Sequence, residues 1–563
     1  MNNYADLVVI GTIYTAEDNE VCGAVAVKDG KYVYVGDREG AAAFIEKGVT
    51  KVIDNGEKCL VIPGCTEGHG HFIGIDALVR SMPGYYVDFP ELFDLLREKV
   101  EKEKPEQFLS WGFDYLKIQA NPEPSRSYAQ EVEDIAPGIP VLLFDTSGHQ
   151  AICNITALKK SGLYETKKVR GGNVFLDDKG NANGIITDEA IPYVIERAFD
   201  MSKVDAQLYR KACKMEIDTL HKRGYTNYYD AYINFLTDDQ FYKYIKEMDD
   251  AGELGVNMVS THTLRSYDAV SYKEKIDHIN ELSDEYGSGH FNPRNLKLFA
   301  DGVTEAMSGW LIDEYPNAAP GKEHGNIIWT PEELKTVTLY ANSKGLPVHT
   351  HTFGDGACRA VVDAYVNANE ALGKKTPNSL AHVRNITKED IVRCAENGIG
   401  IAENLDWHND TLSKDDAEYN EYVAYVDSGL PKGIYENGYP MKSLIEAGIN
   451  VTSSTDAPCS EAFEGNIMNI IEVAVTGIEP EGDYRPFNPS ELLSVRQALE
   501  CMTINGAKQL GIEDKCGSIK VGKNADFVIL DTNFLDYEGE QLKTIHNTKI
   551  LEVYFEGNKV YNS

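Results

Sequence analysis

The chain has 563 residues, 42% of them hydrophobic and 25% charged, which is enough for a large catalytic domain with an appended or inserted part. Its formal net charge of −35 argues against nucleic acid or an anionic membrane surface as a partner, because both need clustered lysines and arginines. We therefore expect the partner to be a small-molecule substrate.

The opening segment, MNNYADLVVIG, lacks a basic stretch followed by an apolar core and a cleavage site. Nowhere do about eighteen apolar residues run together, as a membrane-spanning helix needs. The ten cysteines form no CxxC pair, which favours reduced thiols over a disulfide framework. We expect a cytoplasmic protein without membrane contact, and the sequence leaves open whether it forms a homo-oligomer.

Both ends of the chain are rich in β-forming residues. The first segment runs from Ala5 to Gly36, and the closing segments are ADFVILDTNF and KILEVYFEGNKVYN. Strands from the two ends that pair with one another remove exposed edges and fix the termini. We predict a small β-sandwich built from residues 1–60 and 515–563.

The part between these ends, residues 61–514, alternates β-rich runs with helix patterns, which is typical of parallel βα units. One helix pattern, TPEELKTVTLYANSKG, begins with Thr330, Pro331 and Glu333 in a capping box, and another begins at Thr387 and stops at Gly398. The β-rich runs are VIPGCTEGHGH, GYTNYYDAY, GVNMVSTHTL, NLKLFADG, LPVHTHTFG, NSLAHV, IGIAENLD and INVTSSTDAP. Eight such runs, without a GxGxxG turn after the first, predict an α/β fold with a closed (β/α)8 TIM barrel.

The spacing between the first two runs is far too long for one helical connection. Residues 80–215 contain a strand-like segment, PVLLFDTSGHQA, and the turn-rich segment GGNVFLDDKGNANG. We predict an α+β insertion that leans over the mouth of the barrel.

Four histidines end predicted barrel strands. His69 and His71 follow the first run and share a face because strand side chains alternate, although an isolated HxH is often structural. His351 and His382 end the fifth and sixth runs, at the carboxyl end of the barrel where such folds place their chemistry. His349 shares a face with His351, so spacing alone leaves both as ligand candidates.

Two charged residues complete the predicted cluster. Lys297 lies between two leucines of the fourth run and should point into the barrel, where an unpaired ammonium is very costly. Spacing favours an ion pair with Asp301 or another inward-facing acid, and the alternative is an amine that adds carbon dioxide to give a carbamate bridging two cations. Asp456 ends the eighth run as a buried carboxylate, with a simple turn role as the local alternative.

The segments GHGH, LKLFADGVTE, HTHTFGDGA, LAHV and STDAP, in this order, resemble the amidohydrolase superfamily. Within it they are similar to the YtcJ-like branch, which includes N-substituted formamide deformylases. The insertion segments SWGFDYLK and TSGHQAICN and the closing GSIKVGKNADFVILD extend the resemblance over nearly the whole chain. One departure is Glu67, where the family usually has aspartate.

The resemblance implies a divalent-metal centre, which we expect to hold two zinc ions. Its ligands would be His69, His71 and Asp456 at one site and His351 and His382 at the second, with carboxylated Lys297 as the bridge. The resemblance also selects His351 over His349 as the ligand.

The function that follows is hydrolysis of a non-peptide carbon–nitrogen bond in an amide, formamide or cyclic amide by metal-activated hydroxide. Asp456 would act as general acid and base, carrying a proton from water to the leaving nitrogen. His149, and more weakly Tyr115, are candidates for contacting the substrate carbonyl or its oxyanion, with a structural role equally open for both. Cys459 is either a pocket thiol or an inert buried cysteine. Trp310 and Trp407 either line an apolar pocket or belong to the core.

Two alternatives remain at this point. A deaminase of a heterocycle would use HxH, two further histidines and an aspartate around one metal, and Lys297 argues against it. A barrel that binds without catalysis is the other alternative, and the competent residue at every ligand position argues against it.

Overall fold

Three β-sheets organise the chain in the computed structural model. The structure describes residues 4–18, 20–72, 89–113, 125–145, 148–203, 206–231, 238–304, 307–318, 321–409, 429–457, 466–480 and 486–563. No helix in these ranges is both long and apolar enough to cross a lipid bilayer.

The described strands, in chain order, are β1 (Leu7–Tyr14), β2 (Val21–Lys28), β3 (Lys31–Gly36), β4 (Lys51–Asp54), β5 (Leu60–Pro63), β6 (Cys65–Gly70), β7 (Phe108–Phe113), β8 (Val141–Asp145), β9 (Gln150–Cys153), β10 (Gly172–Leu176), β11 (Ala182–Asp188), β12 (Tyr225–Asp230), β13 (Asn257–Thr263), β14 (Phe291–Phe299), β15 (Val348–His351), β16 (Ser379–Ala381), β17 (Gly400–Glu403), β18 (Val451–Ser453), β19 (Phe527–Leu530), β20 (Ile550–Phe555) and β21 (Asn558–Asn562).

The described α-helices are α1 (Arg38–Ala41), α2 (Phe89–Glu103), α3 (Tyr128–Ile135), α4 (Ile155–Ser161), α5 (Leu163–Thr166), α6 (Ala190–Ala198), α7 (Ala206–Lys222), α8 (Asp238–Asp250), α9 (Tyr272–Tyr286), α10 (Pro331–Ser343), α11 (Asp355–Leu372), α12 (Lys388–Asn397), α13 (Met441–Glu446), α14 (Ile467–Thr476), α15 (Val495–Met502) and α16 (Ile504–Leu510).

The central sheet has eight strands in the order β18-β17-β16-β15-β14-β13-β12-β6, and each neighbouring pair is parallel. Each strand corresponds to one of the eight runs expected from the sequence, and helices alternate with strands along the chain. The predicted TIM barrel is therefore confirmed. Because the strands are parallel, their carboxyl ends meet at one mouth.

The first and last barrel strands meet at a seam. It consists of residues 67–71, at the end of β6, and residues 453–457, at the end of β18 and just after it. The backbone N–H of Asp456 donates to the carbonyl of His69, and that of His71 donates to the carbonyl of Ala457, both at 2.8 Å. One carboxylate oxygen of Glu67 also accepts hydrogen bonds from the N–H groups of His69, at 3.1 Å, and Thr455, at 2.9 Å. The seam thus consists of a few bonds beside the predicted ligands.

The terminal strands form one sheet in the order β21-β20-β19-β5-β1-β2-β3, with β4 also paired to β1. The sequence run VIPGCTEGHGH therefore divides, because Leu60–Pro63 belongs to this sheet and Cys65–Gly70 to the barrel. Gly64 permits the division, since a Cβ at this position would lie 2.1 Å from the Thr226 hydroxyl. The predicted association of the two chain ends is confirmed.

The third sheet, in the order β10-β11-β9-β8-β7, lies in the chain between β6 and β12. The residues from 73 to 205 are called the insertion below, and they bring α2 to α6 with this sheet. The buried Glu189 of the insertion pairs with Arg265, which follows β13, at 3.2 Å. This ion pair attaches the insertion to the barrel, and the domain boundaries given above stay predictions.

Candidate active site

Four of the predicted side chains meet around one carboxylate oxygen at the barrel mouth. Asp456 Oδ1 lies 2.8 Å from His71 Nε2, 3.3 Å from His69 Nε2 and 3.7 Å from His382 Nε2. Ligand atoms of His69, His382 and Asp456 all lie within 4.8 Å of one another. Residues more than 300 positions apart in the sequence therefore form a candidate metal centre.

The turns that follow β16 and β18 direct two of these side chains into the mouth. His382 has φ of 60° and Asp456 has φ of 55°, a left-handed region that side chains other than glycine rarely adopt. Strained backbone of this kind concentrates at functional sites, where surrounding structure holds it in place.

Two of the histidines are held by a hydrogen-bond partner on the nitrogen that faces away from the centre. His69 Nδ1 lies 2.7 Å from His349 Nε2, and His349 Nδ1 lies 2.6 Å from the Ser379 hydroxyl. His382 Nδ1 lies 2.5 Å from Asn404 Oδ1. With the hydrogens on these Nδ1 atoms, both Nε2 lone pairs face the centre, as metal-binding histidines require.

His351 shows the same arrangement with the ring nitrogens exchanged. Its Nε2 lies 3.2 Å from the carbonyl of Gly302, so that nitrogen donates and Nδ1 carries the lone pair. Its ring centroid lies 5.1 Å from that of His382. The donor set of imidazoles and a carboxylate, with His69, His382 and His351 oriented from behind, fits a divalent cation.

Lys297 lies under this cluster in β14 and is completely buried. Its Nζ is 3.3 Å from His69 Nε2 and 4.9 Å from the centroid of the Phe299 ring. Asp301, the ion-pair partner that the sequence suggested, instead accepts hydrogen bonds from three backbone N–H groups, those of Trp310, Phe353 and Gly354. The structure therefore places the amine against His69, while backbone N–H groups hold the Asp301 carboxylate.

Burial and mutual charge set the ionisation of the cluster. Burial, with Lys297 and His382 nearby, holds the pKa of His69 well below its usual range, and burial lowers the pKa of His382 to about 4. For Asp456, burial alone would raise the pKa, but His382, His69 and His71 outweigh it and hold the pKa well below its usual range. An ionised carboxylate beside the neutral imidazoles of His69 and His382 is the state that a cation needs.

The insertion brings His149 to the same mouth. Its ring centroid lies 5.2 Å from that of His351, and its Nδ1 lies 3.0 Å from Asp188 Oδ1. His149 was expected over the mouth from the sequence. Asp188 was missed, because no spacing pattern connects Asp188 to His149. Tyr115 and Cys459 lie outside the described residues.

Aromatic rings line the candidate centre. The Trp407 ring stacks on His382 with centroids 5.5 Å apart at an interplanar angle of 23°. Phe299 and Phe353 lie 5.5 Å and 6.3 Å from the His351 centroid. Trp407 was expected from the sequence, whereas the two phenylalanines were missed because they look like ordinary strand residues.

A TIM barrel with imidazole and carboxylate groups converging at its mouth defines a metal-dependent hydrolase. A model described as amidohydrolase family matches residues 52–561, and the chain therefore belongs to this family. The resemblance found in the sequence is confirmed, and the protein is a hydrolase acting on carbon–nitrogen bonds.

Relatives with similar sequence or structure extend over almost the whole chain. An N-substituted formamide deformylase from Arthrobacter pascens is 23% identical and aligns over 99% of this chain and 98% of its own length. A putative amidohydrolase, YtcJ, from Bacillus subtilis is also 23% identical over 98% of both chains. The crystal structure of an uncharacterised metal-dependent hydrolase from Pyrococcus horikoshii superimposes with a TM-score of 0.68 at 19% identity, over 94% of this chain and 98% of that one.

Proposed function

We propose that the protein hydrolyses the carbon–nitrogen bond of a small amide, formamide or cyclic amide with two divalent cations, which we take to be zinc. The observation that carries this proposal is the convergence of oriented imidazoles on the Asp456 carboxylate. The deformylase relative supports N-substituted formamides as one member of the substrate class.

In this proposal His69, His71 and Asp456 hold one cation, and His351 and His382 hold the second. Nitrogen and carboxylate donors of this kind suit zinc. Bound cations polarise the substrate carbonyl and make water acidic enough to attack it near neutral pH. The 3.3 Å approach of Lys297 Nζ to His69 Nε2 supports a carboxylated Lys297 that bridges the two positions.

The protein's own groups then move the proton and orient the substrate. Asp456 accepts a proton from the attacking water and delivers it to the leaving nitrogen, because it lies at the centre of the cluster. His149 donates a hydrogen bond to the substrate carbonyl oxygen as negative charge develops on it. The rings of Trp407, Phe299 and Phe353 exclude water from the site and favour an apolar or flat substituent.

The cellular setting is part of the same proposal. We place the protein in the cytoplasm, acting on a small molecule and not on nucleic acid or membranes, with a homo-oligomer compatible with this role. The nine cysteines of the described ranges have free thiols, which supports a reducing compartment.

Substitution of Asp456 by Asn tests the proposal, because it removes the charge and the proton carrier while keeping the shape. Wild type, Asp456→Asn and the exposed control Asp178→Asn are reconstituted with zinc, analysed for metal content and assayed on N-formyl, N-acyl and cyclic amides. We expect two metals and turnover in wild type and in the control, and loss of metal with a drop of about 10³-fold or more in turnover for Asp456→Asn.

Other results would contradict the proposal in recognisable ways. One metal per chain with ammonia released from heterocycles points to a mononuclear deaminase. Undiminished biological activity in Asp456→Asn points to a barrel that binds without catalysis.

A further inference from the structure

Two antiparallel strands of the insertion end in a pair of facing residues at the barrel mouth. β9 and β11 pair in the register Ile186 to Ala151 and Thr187 to Gln150, so Asp188 faces His149. The N–H of Asp188 donates to the carbonyl of His149 at 3.0 Å. The Asp188 carboxylate oxygen Oδ1 lies 3.0 Å from His149 Nδ1, so the two residues are joined through both backbone and side chain.

We propose that Asp188 is the positioning residue of His149, fixing its ring so that Nδ1–H points to the carboxylate and Nε2–H of the imidazolium is presented to the substrate carbonyl. This inference rests on the proposed function and names a residue that acts on the substrate only through His149. A carboxylate on one imidazole nitrogen keeps a hydrogen on that nitrogen, stabilises the imidazolium and holds the orientation of the ring.

The conformation of Asp188 is costly for a merely structural residue. Its φ is 50°, in the left-handed region, although it ends a strand. Its side chain is only 3% exposed, and its second oxygen, Oδ2, is buried and accepts no hydrogen bond from a described residue. A strained and incompletely bonded buried carboxylate destabilises the fold, so its contact with His149 points to a role in function.

The Asp188–His149 pair is held against the barrel by its neighbours. The adjacent Glu189 pairs with Arg265 at 3.2 Å and accepts the N–H of Ser266 at 3.1 Å. Both charged groups are at least nine-tenths buried. The attachment of the insertion therefore lies one residue from the proposed positioning group.

The Asp188–His149 pair also contacts the loop that follows β14, and this contact fixes the position of the pair relative to the candidate centre. A Cβ built on Gly302 would lie 3.1 Å from Asp188 Oδ1, so the carboxylate rests directly on this glycine. The carbonyl of Gly302 is the group that orients His351. One backbone residue thus supports both the insertion pair and a predicted metal ligand, which fixes His149 relative to the site.

The experiment compares Asp188→Asn and Asp188→Gly with a matched control. Asparagine keeps the size and tolerates positive φ, and glycine adopts that φ without strain while removing the carboxylate. Asp29→Asn is the control, because Asp29 also has φ of 50° but lies exposed in the turn between β2 and β3. Each zinc-reconstituted protein is assayed for metal content, kcat, KM and pH profile on the amide panel, and its ¹⁵N-histidine spectrum is recorded, with His149→Gln used to assign the His149 signals.

We expect both Asp188 variants to keep wild-type metal content, to lose about 10²-fold in kcat with little change in KM, and to shift the pH profile. The His149 nitrogen signals should show a changed protonation of the ring, and Asp29→Asn should match wild type throughout. Active wild type together with unchanged kcat, pH profile and His149 signals in Asp188→Asn overturns the inference. If wild type hydrolyses nothing on the panel, the proposed function fails instead, and the His149 signals still decide whether Asp188 keeps the hydrogen on Nδ1.

Discussion

The imidazole of His349 lies behind the candidate centre and supports it through His69. Its two nitrogens form a chain from His69 Nδ1 to the Ser379 hydroxyl, over distances of 2.7 Å and 2.6 Å. Loss of a residue that orients a ligand in this way typically lowers metal affinity by about 10- to 100-fold.

We expect His349→Leu to weaken zinc binding by about 10- to 100-fold while the protein stays folded. His349→Gln should retain most of the affinity, because its amide can still accept a hydrogen bond from His69. The measurement is zinc competition against a chelator, with the exposed His278→Gln as control. If His349→Leu and His349→Gln bind zinc with equal affinity, His349 contributes through its volume and not through its hydrogen bond with His69.

Sequence reasoning at this scale found the side chains that carry charge or ligand atoms, because their positions at strand ends are visible in the pattern. It could not assign a role to His349, since the contact with His69 joins strands that are distant in the chain. The backbone hydrogen bonds of Asp301 were missed for a related reason, because N–H groups of remote loops leave no mark in the sequence.

At the level of elements, the seam between β6 and the end of β18 depends on Glu67. Its carboxylate accepts N–H groups from both sides of the seam and is buried. Burial raises the pKa of Glu67 to about 7, because backbone hydrogen bonds offset only part of the lost solvation.

The raised pKa makes the seam sensitive to pH. Between pH 4.5 and 7 the unfolded chain has lost this proton while the folded chain keeps it, so the contribution to stability falls as pH rises, by about 3 kcal/mol in all. In metal-free protein, we expect the difference between the Tm of Glu67→Gln and the Tm of wild type to shift steadily in favour of Glu67→Gln as the pH rises from 4.5 to 7. The Tm of the exposed control Glu396→Gln should change with pH as the wild-type Tm does. If the Tm of Glu67→Gln also changes with pH as the wild-type Tm does, the prediction is contradicted.

The elements were largely predictable because each has a local cause. The Thr330 capping box and the left-handed Gly398 stop occur as expected, at the start of α10 and the end of α12. The division of the first run at Gly64 was not predictable, because it depends on the distant Thr226 side chain.

Across the whole molecule, His290 connects the barrel to the terminal sheet. It lies 2.8 Å from Asp249 at the end of α8 and 3.3 Å from Glu556 in the turn between β20 and β21. The hydrogen bonds that His290 donates to the carboxylates of Asp249 and Glu556 raise the pKa of His290 to about 10.

Stabilisation by this bridge is complete below pH 6.5 and is lost as pH rises towards 10, because the unfolded histidine is already neutral in that range. We expect His290→Gln to lower the Tm at pH 6 by about 2 °C or more and to match wild type near pH 10. Thermal melts across this range, with His278→Gln as control, provide the measurement. If the Tm of His290→Gln is lower than that of wild type by the same amount at every pH, the shape of the His290 side chain rather than its charge stabilises the protein.

The pairing of β5 with β19 has a consequence for how the nascent chain matures. About 460 residues separate these strands, and at about 5–20 residues per second their synthesis takes on the order of half a minute to a minute and a half. During that interval β5 can pair with β1, but its other edge, which later pairs with β19, has no partner strand. This apolar edge can capture other chains, which is the typical route to aggregation. The neighbouring β6 also waits for distant residues, because His69 and His71 form backbone hydrogen bonds with Asp456 and Ala457. His69 and His71 therefore reach their final geometry only after those residues have been synthesised.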